Sequence, residues 1–426
     1  MKKINIIIYI IIILIGAIFL FLDIKNMKKT NPNSRNSEPE YDGTYNLDLI
    51  KRVNSKQEGN YLISPYSIEI ALNMLKDGAN GQTKEQIEKV VGTREIPVFN
   101  VKDRISVTNG AFIKEEYKNS INESYYDKLK NYDAELIFDK FNSPDKINNW
   151  VNEKTYGMIP KILDDINKDF VLGLGNAVAI DVEWDSEFDC ISTSKETFTK
   201  DNNQKIDVEM MHQKFENGDV RYFESNDSKG VIIPYESYDK KGLNKYESKE
   251  NKFTELEFIG ILPNKDVDTY INNLNQAKLD RIDIKNVGTK DFNISVSLPR
   301  FKYDFELEDF MTILKEMGIK DVFDPSKSDL TNIISQENLY KNDSTGLYVS
   351  TAIHKTHIDL NEKGTKAAAI TYFGIENATA MKDEKGNKSI EFNKPFVYII
   401  RDKETKEILF FGVVKEPNIW KGSTCE

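Results

Sequence analysis

The feature that most constrains this chain is an uncharged run, from Ala367 to Ile375, that lies between two segments with strand patterning. Successive side chains of a strand point to opposite faces, so the run and its flanks have two distinct faces. One face carries the charges of Lys366 and Glu376, and the other carries none. The members of the uncharged face are Thr365, Ala367, Ala369, Thr371, Phe373 and Ile375. The run is therefore patterned as a strand with one side for water and one side for a protein interior.

The uncharged face begins with small side chains, which suits a strand that slides between strands already packed together. A larger group there would cost roughly 1–3 kcal/mol through overpacking, and a buried charge would cost more. Downstream, the segment from Lys382 to Lys388 is highly charged and typical of an exposed turn. We therefore predict an exposed loop that is able to join a sheet as a new strand.

Composition excludes several classes of function. The chain has 426 residues and 39% hydrophobic content, enough for one large domain or two ordinary ones. Its formal net charge of -11, with no basic arm, predicts no nucleic-acid partner. The 2 cysteines exclude a disulfide scaffold and a CxxC metal site, and only 3 histidines are present. We predict no metal and no cofactor.

Enzymatic motifs are absent or out of context. Gly173 to Ala177 reads GxGxA, one residue short of the dinucleotide-binding GxGxxA, and it opens a strand and not a helix. No nucleophile elbow, HExxH motif or phosphate-binding loop is present. A Ser-His-Asp triad would have to use His354 as its base, and a histidine in an apolar strand is more often a buried structural residue. We predict that the chain is not an enzyme.

The N-terminus has its own character. The apolar run from Ile6 to Leu22 is about long enough to cross a bilayer as a helix, and no small residues precede a cleavage point. Residues 1–24 are therefore predicted to be an uncleaved membrane anchor and residues 25–43 a flexible tether. This predicts a cell-membrane protein with a single-pass anchor and its folded domain outside the cytoplasm, or a secreted protein if the segment is cleaved.

Periodicity predicts an α+β fold with large antiparallel sheets, because helices dominate early, strands dominate late and no βαβ alternation appears. One domain is predicted, residues 44–420, followed by a tail at 421–426. The run from Ser237 to Lys252 is predicted to be an extended hairpin loop. Predicted helices are Ser67–Lys76, Thr83–Val91, Asp145–Tyr156 and Leu307–Met317. Predicted strands include Asn176–Val182, Val231–Pro234, Phe258–Leu262, Ile294–Leu298, Leu347 onward, and the hairpin of Pro395–Arg401 with Ile408–Val414.

Six blocks in order make the chain resemble the serpins, a family of serine-protease inhibitors. The blocks are Asn60–Ile87, Ile147–Ile159, Asn176–Phe188, Val208–Gln213, Leu298–Phe323 and Phe392–Pro417. The resemblance implies three β-sheets with a helical surround and an exposed reactive centre loop. It also implies a monomer whose partner is a target serine protease, with a cysteine protease as the alternative target.

The resemblance assigns roles to individual residues. Three groups follow, here called the hinge, the shutter cluster and the breach. The hinge, which enters the sheet first, is Glu362, Gly364, Thr365, Ala367, Ala368 and Ala369. The shutter cluster, beneath the centre of the sheet, is Ser64, Ser67, Asn176 and His354. The breach, at the insertion point, is Trp184 and Arg300, and Arg300 is expected to pair with Glu362. Ile370 departs from the family pattern, which usually has a small residue there.

The position of the reactive bond depends on how the loop is counted. Counting forward from Gly364 gives Ala378-Thr379, whereas counting backward from Phe392 gives about Glu384, so the loop is longer than usual. A bait alanine suits elastase-like or subtilisin-like proteases. Met381 and Lys382 are the alternatives, and Lys382 would suit trypsin-like proteases.

The resemblance implies inhibition by a suicide-substrate mechanism, in which the cleaved loop inserts into the central sheet while the protease is still attached. The alternative is a non-inhibitory serpin that acts as a binding or chaperone module. The small hinge residues favour the inhibitor, and the lengthened loop and Ile370 favour the alternative.

Overall fold

The fold is built on apolar strands, because Phe, Ile, Val and Tyr side chains favour a pleated, buried backbone. The computed structural model describes the following residues: 44–168, 170–335, 337, 346–365 and 385–421. The α-helices within them are α1 Thr44–Asn54, α2 Pro65–Gly78, α3 Gly81–Val91, α4 Glu123–Lys130, α5 Asp145–Lys154, α6 Val267–Asn272, α7 Gln276–Ile284 and α8 Phe310–Met317.

The strands are short or medium in length and are numbered in chain order. They are β1 Tyr61–Ile63, β2 Ile105–Lys114, β3 Ala134–Asp139, β4 Leu172–Ile180, β5 Val182–Glu183, β6 Ser194–Thr199, β7 Lys205–Phe215, β8 Arg221–Glu224, β9 Ser228–Pro234, β10 Leu256–Pro263, β11 Asn286–Gly288, β12 Phe292–Pro299, β13 Phe301–Glu306, β14 Lys355–Leu360, β15 Gly364–Thr365, β16 Gly386–Glu391, β17 Phe396–Asp402 and β18 Ile408–Val414.

A seven-stranded sheet in the order β1-β18-β17-β10-β9-β8-β11 forms the core. Strands β10, β17 and β18 are buried along their whole length. Because both of their faces are buried, their sequences are continuous apolar runs without polar alternation. The predicted hairpin of β17 and β18 is present, with Phe396 opposite Val414. A second sheet, in the order β16-β12-β7-β6, carries the strand that follows the predicted loop.

The central sheet is split into two parts. One part has the order β3-β2-β4 and the other the order β13-β14-β15-β5. Strands β4 and β5 follow each other along the chain with only Asp181 between them, so the two parts are successive segments of one sheet. Within the described residues, no ladder joins β4 to β14, and a gap separates them below Thr365.

Helix α5 and the chain after it cover β2 and β4. Phe112, Trp150 and Ala177 belong to a buried apolar cluster, with the Phe112 and Trp150 rings 5.2 Å apart at 88°. Ile159 and Ile162, from the connection after α5, pack against the same cluster. This layer therefore closes one face of the split sheet.

Two of the boundaries that differ from the prediction have a visible cause in the structure. The strand predicted from Leu347 begins only at Lys355, because its ladder partner β13 ends at Glu306, which pairs with Lys355. The helix predicted from Leu307 begins at Phe310, because the Leu307 backbone N–H donates to the His354 carbonyl oxygen at 2.9 Å. In both cases a contact between distant segments sets the boundary.

The chain divides into two units, residues 1–41 and residues 42–426. The predicted membrane anchor and tether, residues 1–24 and 25–43, lie outside the described residues. Within the described ranges, no helix is long and apolar enough to cross a membrane.

Substitution of Gly412 tests the packing of the seven-stranded sheet. A Cβ atom at this position would lie 2.2 Å from Cζ of Tyr398, which is fully buried. The ring has little room to retreat, since its hydroxyl lies 2.8 Å from the Tyr303 hydroxyl. We expect Gly412→Ala to lower the free energy of unfolding by roughly 1–3 kcal/mol, measured by urea unfolding.

Gly59 is the matched control, because it is exposed and a Cβ there would have nothing within 4 Å. Gly59→Ala should change the free energy of unfolding by no more than about 0.5 kcal/mol. Equal unfolding midpoints for the two variants would contradict this account of the packing.

Candidate functional site at the split in the central sheet

The predicted hinge begins as a tight turn between β14 and β15. The Asn361 backbone N–H donates to the Gly364 carbonyl oxygen at 3.0 Å, which reverses the chain. Thr365 then pairs with Leu360 of β14 on one side and with Val182 of β5 on the other. Gly364 and Thr365 thus form the first step of a strand that lies between β5 and β14.

Glu362 holds this turn in place. Arg300 Nε donates to both carboxylate oxygens of Glu362 at 2.8 Å, and the Thr193 hydroxyl donates to one of them. The Phe188 backbone N–H donates to the Glu362 carbonyl oxygen at 2.9 Å. Glu362 is buried, so these charge-assisted hydrogen bonds compensate for the lost hydration of its carboxylate. The pairing of Arg300 with Glu362 that the resemblance implies is present in the structure.

Trp184 contacts the turn through its side chain and its backbone. Its indole N–H donates to the Asn361 carbonyl oxygen at 3.0 Å, and its backbone N–H donates to the Lys363 carbonyl oxygen at 2.8 Å. The indole stacks on Tyr235, with 4.5 Å between ring centroids and 7° between planes. The Tyr235 hydroxyl lies 2.6 Å from the Thr365 hydroxyl. Tyr235 therefore links the breach directly to the hinge.

Gly364 is required by close approach of two backbones. A Cβ atom on Gly364 would lie 2.1 Å from the carbonyl oxygen of Val182 in β5. Any other residue would push β15 away from β5 and break the ladder between them.

Below the hinge lies a cavity, here called the slot. It lies between Val178–Ile180 of β4 and His357–Asp359 of β14, and Thr365 forms part of its wall. Thr155 and Ile159, from the connection after α5, line it as well. The slot is therefore bounded by the two strands that lack a common ladder.

The shutter cluster lies along one chain of hydrogen bonds at the base of the sheet. The Ser64 hydroxyl accepts from the Ser67 backbone N–H and caps α2. The Ser67 hydroxyl donates to the Asn176 amide oxygen, and the Asn176 amide donates to Asn109 at 2.6 Å. These hydrogen bonds join α2 to β4 and then β4 to β2.

His354 is bound to the other side of the same cluster. Its Nε2 accepts a hydrogen bond from the Ser64 backbone N–H at 3.1 Å, so this nitrogen carries no proton. Burial lowers the pKa of His354 to about 4. The ring is therefore neutral at pH 7 and links the segment before β14 to α2.

Sequence reasoning missed three residues of this site: Asn109, Thr193 and Tyr235. Each is an ordinary polar or aromatic residue in its own strand or loop, and its partner lies far away along the chain. No local pattern could have identified them. The predicted residues Ala367, Ala368, Ala369, Ala378, Thr379, Met381 and Lys382 lie outside the described residues.

Comparison with known proteins decides the family. The profile of a family described as Serpin (serine protease inhibitor) matches residues 42–417, most of the chain. The chain belongs to the serpin family. Serpins in general inhibit proteases and are not enzymes. The predicted α+β serpin fold is confirmed by similarity to solved serpin structures.

The similarity extends over nearly the whole of several relatives. This serpin is 29% identical to a serpin-like protein of Thermococcus kodakarensis, over 88% of this chain and 84% of that protein. It is 28% identical to leukocyte elastase inhibitor of Xenopus tropicalis, over 88% of this chain and 97% of that protein. The thermophilic serpin tengpin is 28% identical and has been solved in two states. Its native state matches with a TM-score of 0.71, over 92% of this chain and 98% of that one, and its latent state with 0.67, over 88% and 97%.

The predicted location in the cell membrane is wrong. Within the part of the chain that the structure describes, no helix can span a bilayer. Two relatives that match over most of their length are named as a serpin-like protein and an elastase inhibitor, and neither name refers to a membrane. The apolar composition of residues 6–22 was the only ground for that prediction.

Acid should weaken this fold through His354. Its pKa in the folded protein, about 4, lies below the unfolded value near 6.5, so the two states bind protons equally only well above pH 6.5. As the pH falls through 6.5, the unfolded chain takes up a proton that the folded protein excludes until the pH approaches 4. Between pH 7.5 and 5, we expect this residue to remove about 2 kcal/mol from the free energy of unfolding, measured by urea unfolding.

A glutamine at position 354 would keep an acceptor for the Ser64 N–H but would not titrate. The His354→Gln variant should therefore lose about 2 kcal/mol less than the parent over the same pH range. Gly59→Ala, the exposed control used above, leaves every titratable group in place and should retain the parent's loss on acidification. The same loss in His354→Gln and the parent would rule out His354 as its origin.

Proposed function

We propose that this serpin inhibits serine proteases as a suicide substrate, by insertion of its cleaved loop into the slot. The observation that carries the proposal is the pairing of Gly364 and Thr365 between β5 and β14, directly above the slot. A strand that continued from Thr365 would enter the space between two strands that share no ladder in the described residues. It would then pair on both edges.

The pattern of the loop suits this path. Continued by two residues in the same register, the strand would bring Ala367 between Ile180 and Ile358, which are both buried. A small side chain fits there, whereas a large one would clash. One residue earlier, on the opposite face, Lys366 would lie between Asp181 and Asp359. Opposite charges on neighbouring strands stabilise such a pairing.

The chemistry is that of the protease. Its serine oxygen attacks the carbonyl carbon of the reactive bond. The C–N bond breaks, and the C-terminal peptide leaves with a new amino group that has taken up the serine's proton. An ester, the acyl-enzyme, then joins the protease serine to the serpin. The freed loop inserts from Thr365 onward and carries the attached protease with it, which distorts the protease active site before water can hydrolyse the ester. Because enzymes turn over at about 1–1000 per second, insertion must be faster than this. The intact fold is then held by a kinetic barrier.

We infer that the reactive bond is Ala378-Thr379 and that the targets are elastase-like or subtilisin-like proteases. An alanine at this position fits a small or permissive specificity pocket. One relative is named as an inhibitor of leukocyte elastase, which agrees with this class of target. Met381 and Lys382 are the alternative bait residues.

Mass spectrometry of the products tests the proposal. The full chain would be mixed with an elastase-like, a subtilisin-like and a trypsin-like protease in turn. We expect a covalent adduct that survives denaturation and a released peptide that begins at Thr379. A peptide that begins at Asp383 would move the bait residue to Lys382. Cleavage by all three without an adduct would contradict the proposal and favour a non-inhibitory serpin that acts as a binding module.

Thr365→Arg should convert the inhibitor into a substrate. Thr365 is buried beside Tyr235, and a charged side chain there would oppose the first step of insertion. We expect the variant to be cleaved at the parent's rate but to form little adduct, so the moles of serpin consumed per mole of protease should rise at least about tenfold. Denaturing gel electrophoresis measures both quantities.

Thr197→Arg is the matched control, since Thr197 is an exposed strand residue on a different sheet. It should form adduct as the parent does. If Thr365→Arg formed as much adduct as Thr197→Arg, insertion through this path would be excluded.

A further inference from the structure

The connection between β9 and β10 is longer than the hairpin needs. The two strands pair up to Pro234 and Glu257, and a tight hairpin would close there with roughly two to five residues. The chain instead forms an additional segment from Tyr235 to Thr254, here called the strap. A long connection within a folded domain usually has a function of its own or lacks order.

The strap is ordered by contacts within itself. Tyr238 and Thr254 exchange two backbone hydrogen bonds, of 3.2 and 2.8 Å. Asp239 is buried, and its carboxylate accepts from the backbone N–H groups of Lys241 at 2.8 Å and Leu243 at 3.0 Å. The Ser248 hydroxyl donates to the same carboxylate. The strap therefore has a defined shape with which to contact its neighbours.

The strap contacts β5 and the residues that follow it. The Glu236 backbone N–H donates to the Glu183 carbonyl oxygen at 2.8 Å. The Tyr238 hydroxyl donates to Glu183 Oε2 at 3.4 Å, and Lys245 Nζ lies 3.3 Å from Asp185 Oδ1. Both the backbone and the side chain of Glu183 are thus bound by the strap.

The strap also contacts the chain just before β2. The Lys102 backbone N–H donates to the Lys240 carbonyl oxygen at 3.3 Å. The Arg104 guanidinium lies 4.8 Å from the centre of the Tyr238 ring, and its Nη1 donates to Glu183 at 3.2 Å. Arg104, Tyr238 and Glu183 therefore join the entry to β2, the strap and β5 in one cluster.

This cluster lies directly beside the hinge. Glu183 is the ladder partner of Gly364, and Tyr235, the first residue of the strap, contacts Thr365 through its hydroxyl. The strap continues from β9, which belongs to the seven-stranded core sheet. Its contacts therefore fix β5 relative to that sheet at the place where an inserted strand has to start.

We propose that the strap is a positioning element for loop insertion, which holds β5 in register with Gly364 and Thr365. This inference rests on the proposed function. If β5 is held, the cleaved loop adds to a strand that is already aligned, and insertion can precede hydrolysis of the acyl-enzyme. If β5 is released, the first ladder step forms less often, insertion slows, and more serpin is cleaved without trapping the protease.

The double variant Tyr238→Phe with Lys245→Ala tests the proposal. It removes the hydroxyl contact to Glu183 and the ion pair to Asp185, but keeps the aromatic ring beneath Arg104. Lys241→Ala is the control, because Lys241 Nζ is exposed and its ion pair is with Glu250 of the strap itself. Two readouts are needed: hydrogen exchange of the intact full chain, and the moles of serpin consumed per mole of protease.

In the double variant we expect faster exchange of the backbone amides in β5 and β15, and two- to fivefold more serpin consumed, roughly the effect of losing one hydrogen bond and one exposed ion pair. The rate of loop cleavage and the exchange of β17 and β18 should match the control. A general loss of stability would instead raise the exchange rate of the backbone amides in β17 and β18 as well.

Two results would overturn the proposal: unchanged exchange in β5 and β15, or faster exchange with unchanged consumption of serpin. Failure of the proposed function looks different, because then the unsubstituted parent forms no adduct with any protease. In that case faster exchange in the double variant would still report that the strap holds β5.

Discussion

The facing edges of β4 and β14 are the constraint on which the rest of this structure depends. In the described part of the chain they share no ladder, although β4 continues after one residue into β5, which lies in the same sheet as β14. Strand edges carry backbone N–H and C=O groups that favour pairing, and an unprotected edge usually binds another strand. Each ladder hydrogen bond contributes about 0.5–1.5 kcal/mol net, and a strand that pairs on both edges adds many of them together. The slot is therefore a site where one additional strand would stabilise the fold.

Under the proposed function, the residues around the slot control which strand enters it and where that strand starts. Glu362 is fixed by Arg300 and Thr193, so the turn after β14 has one position. Gly364 allows the closest approach to β5, and Thr365 occupies the first buried position. Lower in the sheet, Ser64, Asn176 and their partners join the strands to α2 by hydrogen bonds that neutral His354 completes. In the proposed mechanism, the contacts at the hinge define where the inserted strand starts, and the contacts of the shutter cluster limit how far the sheet opens before it enters.

Much of this architecture could be predicted from the sequence. The apolar runs of β17 and β18, the hairpin between them and the periodic helices follow from local patterns, and the pairing of Arg300 with Glu362 followed from the family resemblance. The sequence could not reveal contacts whose partners are distant. Tyr235 acquires its role only because the strap brings it against Trp184 and Thr365. The late start of β14 follows from where β13 ends. The predicted membrane location is wrong, and it was inferred from the hydropathy of residues 6–22 without any contact in the fold to support it.

The melting temperature of the protein before and after a single cut in its loop tests the central claim most directly. A protease that is not a target, and that cuts between residues 366 and 384, would release the loop without trapping. If the slot accepts the freed strand, the cut protein gains two ladders and should melt at a much higher temperature than the intact protein. A melting temperature that stays the same or falls after the cut would contradict the account.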